Sequence, residues 1–245
     1  VNPIILIPAR LASTRLPGKP LADIRGQPMI VHVLNRAREA AIGPVAVACA
    51  EPEIATAVRA AGGTAILTDA SLPSGSDRIF AALQQLDPAG DHDIIINLQG
   101  DLPTIPPGYL ATVLSPLANP DFDIATLVAP ITSIEEATSP SVVKCACAFE
   151  PEQKIAPALY FSRTAIPHGD GPLWHHIGLY AYRRRALQKF ITLPESPLER
   201  REKLEQLRAL EAGIHIGVAK VTHAPFGVDT PADLEQARAI IGGKK

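Results

Sequence analysis

Two stretches of this chain join a short apolar run directly to residues able to handle phosphate. The first is Ile4-Ile5-Leu6-Ile7, followed at once by Pro8, Ala9 and a loop holding Arg10, Ser13, Thr14, Arg15, Gly18 and Lys19. Three cations within ten residues, two hydroxyls and a Gly-Lys step suit a polyphosphate, because backbone N–H groups and cations can share its negative charge. The loop is not a Walker A motif: Pro20 stands where Ser or Thr should follow Lys19, and Ser13 occupies the first glycine position. Pro17 and Pro20 also forbid the helix that motif would start. The second stretch is Ile94-Ile95-Ile96-Asn97-Leu98, which ends in Gln99-Gly100-Asp101. A carboxylate there can hold magnesium against phosphate oxygens, or it can cap an Asx-turn ahead of Pro103.

Elements that would position such residues follow from the hydrophobic pattern. Runs at residues 4–7, 45–49, 65–67, 94–98 and 124–128 read as strands, those at 4–7 and 94–98 as buried ones. Helical periodicity covers 29–41, 53–61, 77–85 and 108–117, with Ser76 as a candidate N-cap for the third. This βαβα order predicts a Rossmann-like α/β fold, a mixed, mainly parallel sheet with right-handed crossovers. Open α/β sheets bind ligands beyond the carboxyl ends of their strands, where both polar stretches fall. The second half is less regular. Strands are expected at 142–148, 176–182 and 214–219, a loop and hairpin region at 151–172, and helices at 202–212 and 231–241. Thr230 is placed as N-cap of the closing helix, with Pro231 at its first position.

Composition narrows the classes. The 245 residues are 47% hydrophobic, enough for a large core, and one α/β domain over 1–245 is expected. A net charge of −2, a pI near 6.4 and 4% aromatics argue against a nucleic-acid surface. No stretch has the length of a membrane span, so no membrane partner is expected. Cys49, Cys145 and Cys147 form neither a disulfide framework nor a Cys-x-x-Cys zinc pair. They read as small buried hydrophobes of a reducing cytoplasm.

Several motifs in order carry a family resemblance. The segment from Pro8 to Leu21 resembles the N-terminal signature of the sugar-acid cytidylyltransferases, most nearly those acting on 3-deoxy-manno-octulosonate (Kdo). The likeness continues through Asn97–Asp101, Tyr160–Arg163, His176–Tyr180, Ser196–Glu199, Leu204–Arg208 and Gly227–Pro231, nearly the whole chain. It implies a nucleotidyltransferase fold, a homodimer, Mg2+ as cofactor, and CTP and Kdo as substrates in lipopolysaccharide biosynthesis in the cytoplasm. Residues 1–130 would be the nucleotide-binding part, 131–225 the sugar-acid and dimerisation part, and 226–245 the closing helix. Arg10, Ser13, Arg15 and Lys19 would then hold the triphosphate, with Arg78 near the nucleotide. Asp101 and Asp229 would hold magnesium; by sequence alone Asp229 is only a loop residue near a helix start. Arg10, Lys19, Asp101 and Asp229 would be the catalytic group. Gln99, Arg163, His176, Tyr180, Glu205 and Gln206 would recognise the sugar acid. From the residues themselves, Arg163 is a surface arginine or a bidentate carboxylate donor. His176 and Tyr180 share a strand face, and Glu205 and Gln206 belong to the polar face of a leucine-bearing helix.

The sequence departs from the family pattern in places. Leu102 stands where Glu usually follows Gly-Asp, Cys49-Ala50 replaces the usual Thr-Asp, and the 166–174 loop is short. The last of these leaves open the same chemistry on sialic acid or 8-amino-Kdo. A non-catalytic nucleotide-binding protein is the reading from another class.

Overall fold

The computed structural model describes residues 1–13 and 15–243, so Thr14 of the phosphate-loop reading lies outside the described residues. The chain makes two compact units, Val1–Leu110 with Pro225–Lys245, and Ala111–Ala224.

The first unit opens with β1 (Pro3–Ala9), a small hairpin of β2 (Asp23–Ile24) and β3 (Gln27–Pro28), and α1 (Met29–Glu39). Then come β4 (Val45–Cys49), α2 (Pro52–Ala60), β5 (Thr64–Leu67), α3 (Gly75–Leu86), β6 (Ile94–Leu98) and α4 (Gly108–Thr112). Its strands run parallel in the order β5-β4-β1-β6. Ile4, Ile5, Leu6 and Ile7 of β1 are all buried, which accounts for a run without polar alternation. Each such side chain contributes roughly 1.5–3 kcal/mol of hydrophobic stabilisation. Helix α1 buries Met29, Ile30, Val33, Leu34 and Ala37, the stripe an amphipathic helix turns to a sheet. Ser74, not Ser76, is the N-cap of α3. Its hydroxyl accepts from the Asp77 N–H at 3.1 Å, while Ser76 lies inside the helix. The helix expected over 108–117 stops at Thr112 and gives way to a 3-10 turn at Ser115–Ala118, since Pro116 has no N–H to continue the ladder.

The second unit holds β7 (Ile124–Pro130), α5 (Ile134–Thr138), β8 (Lys144–Ala146), β9 (Ile155–Pro157), β10 (Tyr160–Ser162) and β11 (Trp174–Arg183). It continues with α6 (Arg184–Thr192), α7 (Pro197–Glu202), α8 (Leu207–Glu211) and β12 (Ile216–Lys220). Strand β7 is central, antiparallel to β11 and parallel to β12. These partners place β7 in this unit, which begins after Leu110. The 151–172 region is no simple hairpin: β9 pairs with β12, and β10 with β8. The helix expected over 202–212 is broken. Lys203 turns left-handed at φ 58°, and its N–H and that of Leu204 both donate to the Glu199 carbonyl, a closure that ends α7. Glu205 and Gln206 therefore sit in the turn ahead of α8, not on a helix face.

The chain then returns to the first unit in α9 (Pro231–Ile241). Thr230 and Asp233 form a capping box around Pro231. Leu234 and Ala237 pack in a cluster with Ile24, Met29 and Val228, which Leu16 and Phe226 border. That cluster fixes both the loop after β1 and the segment carrying Asp229.

Candidate active site

At the carboxyl ends of β1 and β6, a cleft of about 410 Å³ is lined by Arg10, Ser13, Arg15, Lys19, Arg78, Gln99, Asp101 and Asp229. Local chemistry delivers each. Gly18 takes the left-handed conformation at φ 69° and starts the 3-10 turn Lys19–Leu21, a geometry that other residues adopt only with strain. A Cβ on Gly100 would lie 3.0 Å from the Pro8 carbonyl, so glycine lets the end of β6 sit this close to β1 without displacing that backbone. The Val228 N–H donates to the Asp101 carbonyl at 2.9 Å, which brings the last segment of the chain beside the end of β6.

The charges alternate. Lys19 Nζ donates to Asp101 Oδ2 at 2.9 Å, to Asp229 Oδ1 at 3.0 Å and to the Val228 carbonyl at 3.0 Å. Arg15 meets the other oxygen, Asp229 Oδ2, at 3.1 Å. Burial works against the Lys19 charge, but Asp101 and Asp229 outweigh it and its pKa rises. The ammonium stays charged. One nitrogen within reach of both carboxylates means that their oxygens converge on a single point. Hard oxygen donors converging there fit Mg2+, which takes one or two carboxylates and completes its shell with phosphates and water. No cluster of three or more His, Cys, Asp or Glu that could hold a metal ion gathers among the described residues.

Arg78 is almost fully buried. Its Nη1 donates to Thr68 Oγ1 at 2.7 Å and to the Asp69 carbonyl at 3.1 Å. Its Nη2 has no hydrogen-bond partner among the described residues. Burial lowers its pKa, and Glu51 opposes that, yet a guanidinium remains a cation in any protein. A buried, charged donor without a partner is costly unless a ligand supplies the acceptor.

The expected sugar-acid residues divide. Gln99 belongs to the cleft of the first unit. His176, Tyr180 and Glu205 form one group in the second unit. The His176 and Tyr180 rings lie 5.4 Å apart, Phe161 meets the His176 edge, and Glu205 acts on Tyr180 electrostatically. Burial, then the neighbouring His175, lowers the His176 pKa to about 3. Burial, then Tyr182, Glu205 and Cys145, raises that of Tyr180 well above its usual value. Both rings are neutral at physiological pH. Thr126 Oγ1 has carbonyls at Ile177 and Leu179 for its proton and lies 3.1 Å from His176 Nε2. Nε2 therefore carries the hydrogen and Nδ1 is left as an acceptor. Gln206 is buried, and its Nε2 has no partner among the described residues. Arg163 is differently employed. Its Nε, Nη1 and Nη2 donate to the carbonyls of Glu202, Pro140 and Lys203 at 2.8, 2.9 and 3.2 Å. It clamps the turn that leads to Glu205 and Gln206.

Sequence reasoning passed over Lys144. This fully buried lysine donates to the Ser139 and Arg163 carbonyls at 2.7 and 3.1 Å. A single lysine in the apolar run 142–148 was the available signal.

A mixed α/β architecture around a mainly parallel central sheet is the fold of the nucleotidyltransferases. The solved 4-diphosphocytidyl-2C-methyl-D-erythritol synthase of Anaerococcus prevotii shares it at a TM-score of 0.66 and 11% identity over 98% of this chain and 99% of its own. The cytidylyltransferase family model matches residues 4–216, and the chain belongs to that family. A 3-deoxy-manno-octulosonate cytidylyltransferase of Rhodospirillum centenum is 61% identical over 98% of this chain and 93% of its own length. One from Paramagnetospirillum magneticum is 57% identical over 98% of both. A solved CMP:2-keto-3-deoxy-manno-octonic acid synthetase complexed with CTP is 43% identical, with a TM-score of 0.90 over 100% of both chains.

Proposed function

We propose that this chain transfers CMP from CTP to Kdo, giving CMP-Kdo and pyrophosphate, the activation step for lipopolysaccharide synthesis. The observation that carries the reading is the alternating ladder Asp101–Lys19–Asp229–Arg15 at the sheet edge, in a chain matched end to end by relatives named for this activity.

Arg10, Ser13, Arg15 and Lys19 bind the triphosphate, and Arg78 offers its partnerless Nη2 to the nucleotide. The C2 hydroxyl of Kdo attacks the α-phosphorus and gives up its proton to water, the bond from phosphorus to the α,β-bridging oxygen breaks, and pyrophosphate leaves with that oxygen. No covalent enzyme intermediate is required, because positioning and charge neutralisation dominate such transfers. Asp101 and Asp229 would hold Mg2+, which supplies charge neutralisation at the phosphates when bound. Lys19 then faces the charge that builds on the α-phosphate and leaving group. Gln99, His176, Tyr180, Glu205 and Gln206 recognise the sugar acid. Arg163 fixes the turn carrying the last two and keeps N–H groups able to meet the carboxylate. A homodimer working in the cytoplasm completes the reading. Among the described residues no helix is long and apolar enough to cross a membrane.

Pyrophosphate release from CTP and Mg2+, with and without Kdo, tests this. Release only with Kdo is expected. Release with a different 2-keto sugar acid alone would move the specificity, and CTP binding without release under any acid would overturn the enzyme reading.

A further inference from the structure

Glu51 occupies the N-cap position of α2, where Ser, Thr, Asp or Asn usually satisfies the first helical N–H groups. Its side chain makes no cap hydrogen bond. The carboxylate instead reaches back 40 residues, and its Oε2 accepts from the Leu11 N–H at 2.9 Å. Leu11 follows Arg10, at the point where β1 becomes the phosphate loop. A capping contribution is given up, and a loop N–H is held in its place.

Neighbouring contacts make the β4–α2 turn a junction. The Ala50 N–H donates to the Ala9 carbonyl at 3.0 Å. The Cys49 carbonyl accepts from the Thr68 N–H at 2.9 Å and from Thr68 Oγ1 at 3.0 Å. Thr68 Oγ1 in turn accepts from Arg78 Nη1 at 2.7 Å. Three consecutive residues thus tie down both the start of the phosphate loop and the buried arginine. Glu51 supplies the one negative charge among them, and it acts on Arg78 electrostatically. Cys49 and Ala50 carry no carboxylate, and Glu51 follows them directly.

We infer that Glu51 is a positioning residue for the nucleotide: its grip on the Leu11 N–H sets Arg10 and the phosphate loop for CTP without touching the substrate. Glu51 does not line the cleft, so its effect passes through the loop. The inference rests on the cytidylyltransferase reading above, and direct CTP titration separates the two.

The test compares Glu51→Ala, Glu51→Gln and the wild type by calorimetric titration of CTP with Mg2+ and by steady-state kinetics. Loss of a charge-assisted hydrogen bond predicts roughly tenfold weaker CTP binding in Glu51→Ala. The KM for CTP rises with it, while the KM for the sugar acid and the melting temperature stay close to wild type. Glu51→Gln keeps an acceptor oxygen and recovers most of the affinity. Unchanged CTP affinity in Glu51→Ala, equal rises in both KM values, or a glutamine variant as impaired as the alanine would each overturn the positioning role. Wild type that binds CTP but releases no pyrophosphate fails the functional reading and leaves the Glu51 comparison intact. Wild type that binds no CTP overturns both.

Discussion

Lys19 and Asp229 meet ammonium to carboxylate at 3.0 Å across 210 positions of sequence. The same nitrogen lies 2.9 Å from Asp101, so one lysine holds together the two carboxylates that a divalent ion would need. A monovalent cation already stands where those oxygens converge.

Replacing that lysine has two expected effects of opposite sign. In Lys19→Met, pyrophosphate release falls by about 10²-fold or more, the scale for removing one preorganised charge donor. Mn2+ binding without nucleotide, followed by electron paramagnetic resonance, becomes tighter because the competing ammonium is gone. Equal Mn2+ affinity in the two proteins would refute the competition.

Asp101→Asn removes a hard anionic oxygen and leaves the shape. Turnover is expected to collapse at every Mg2+ concentration while the circular dichroism melt stays within a few degrees of wild type. An unaltered Mg2+ dependence would take Asp101 out of the metal site.

His176 makes stability depend on pH. Its pKa is about 3 in the folded chain against 6.5 for the free side chain. Between those values the unfolded state binds the extra proton, so stability rises with pH across this window. The contribution is complete above 6.5 and is lost as pH falls toward 3. Melting temperatures from pH 4 to 8 should climb and then level off near 6.5, and His176→Gln should flatten the climb. A slope that persists in His176→Gln belongs to other groups.

Glu199 serves two structures at once. Its side chain completes the capping box with Ser196 and pairs with Arg208, both partners of the pair being largely buried. Glu199→Ala leaves Arg208 without its anion and should cost about 3 kcal/mol in urea unfolding. Ser196→Ala loses only the cap, about 1 kcal/mol. Equal costs would mean that the ion pair adds nothing beyond the cap.

Strands β1, β4 and β6 were legible because burial on both faces leaves an unbroken apolar run, and the polar residues after them fall at the cleft for the same reason. What sequence alone could not supply was the employment of side chains over long separations. Asp229 reads as a loop residue until Val228 is seen bonded to Asp101. Arg163 reads as a surface arginine or a carboxylate donor until its three carbonyl acceptors are seen, and nothing in the sequence ties Glu51 to Leu11, 40 residues away. The break at Lys203 was missed because the leucine spacing continues through it; the left-handed turn has no hydrophobic signature and no glycine to mark it.

The first unit is built from both ends of the chain, residues 1–110 and 225–245. Synthesis therefore delivers the phosphate loop, Lys19 and Asp101 well before Asp229 leaves the ribosome. N-terminal parts generally fold while the rest is still being made. Until its last stretch emerges, the nascent polypeptide holds Lys19 and Asp101 without Asp229, so a product truncated before Asp229 cannot assemble the ladder. The order in which the ladder's members are made thus leaves Asp229 as the one that closes it.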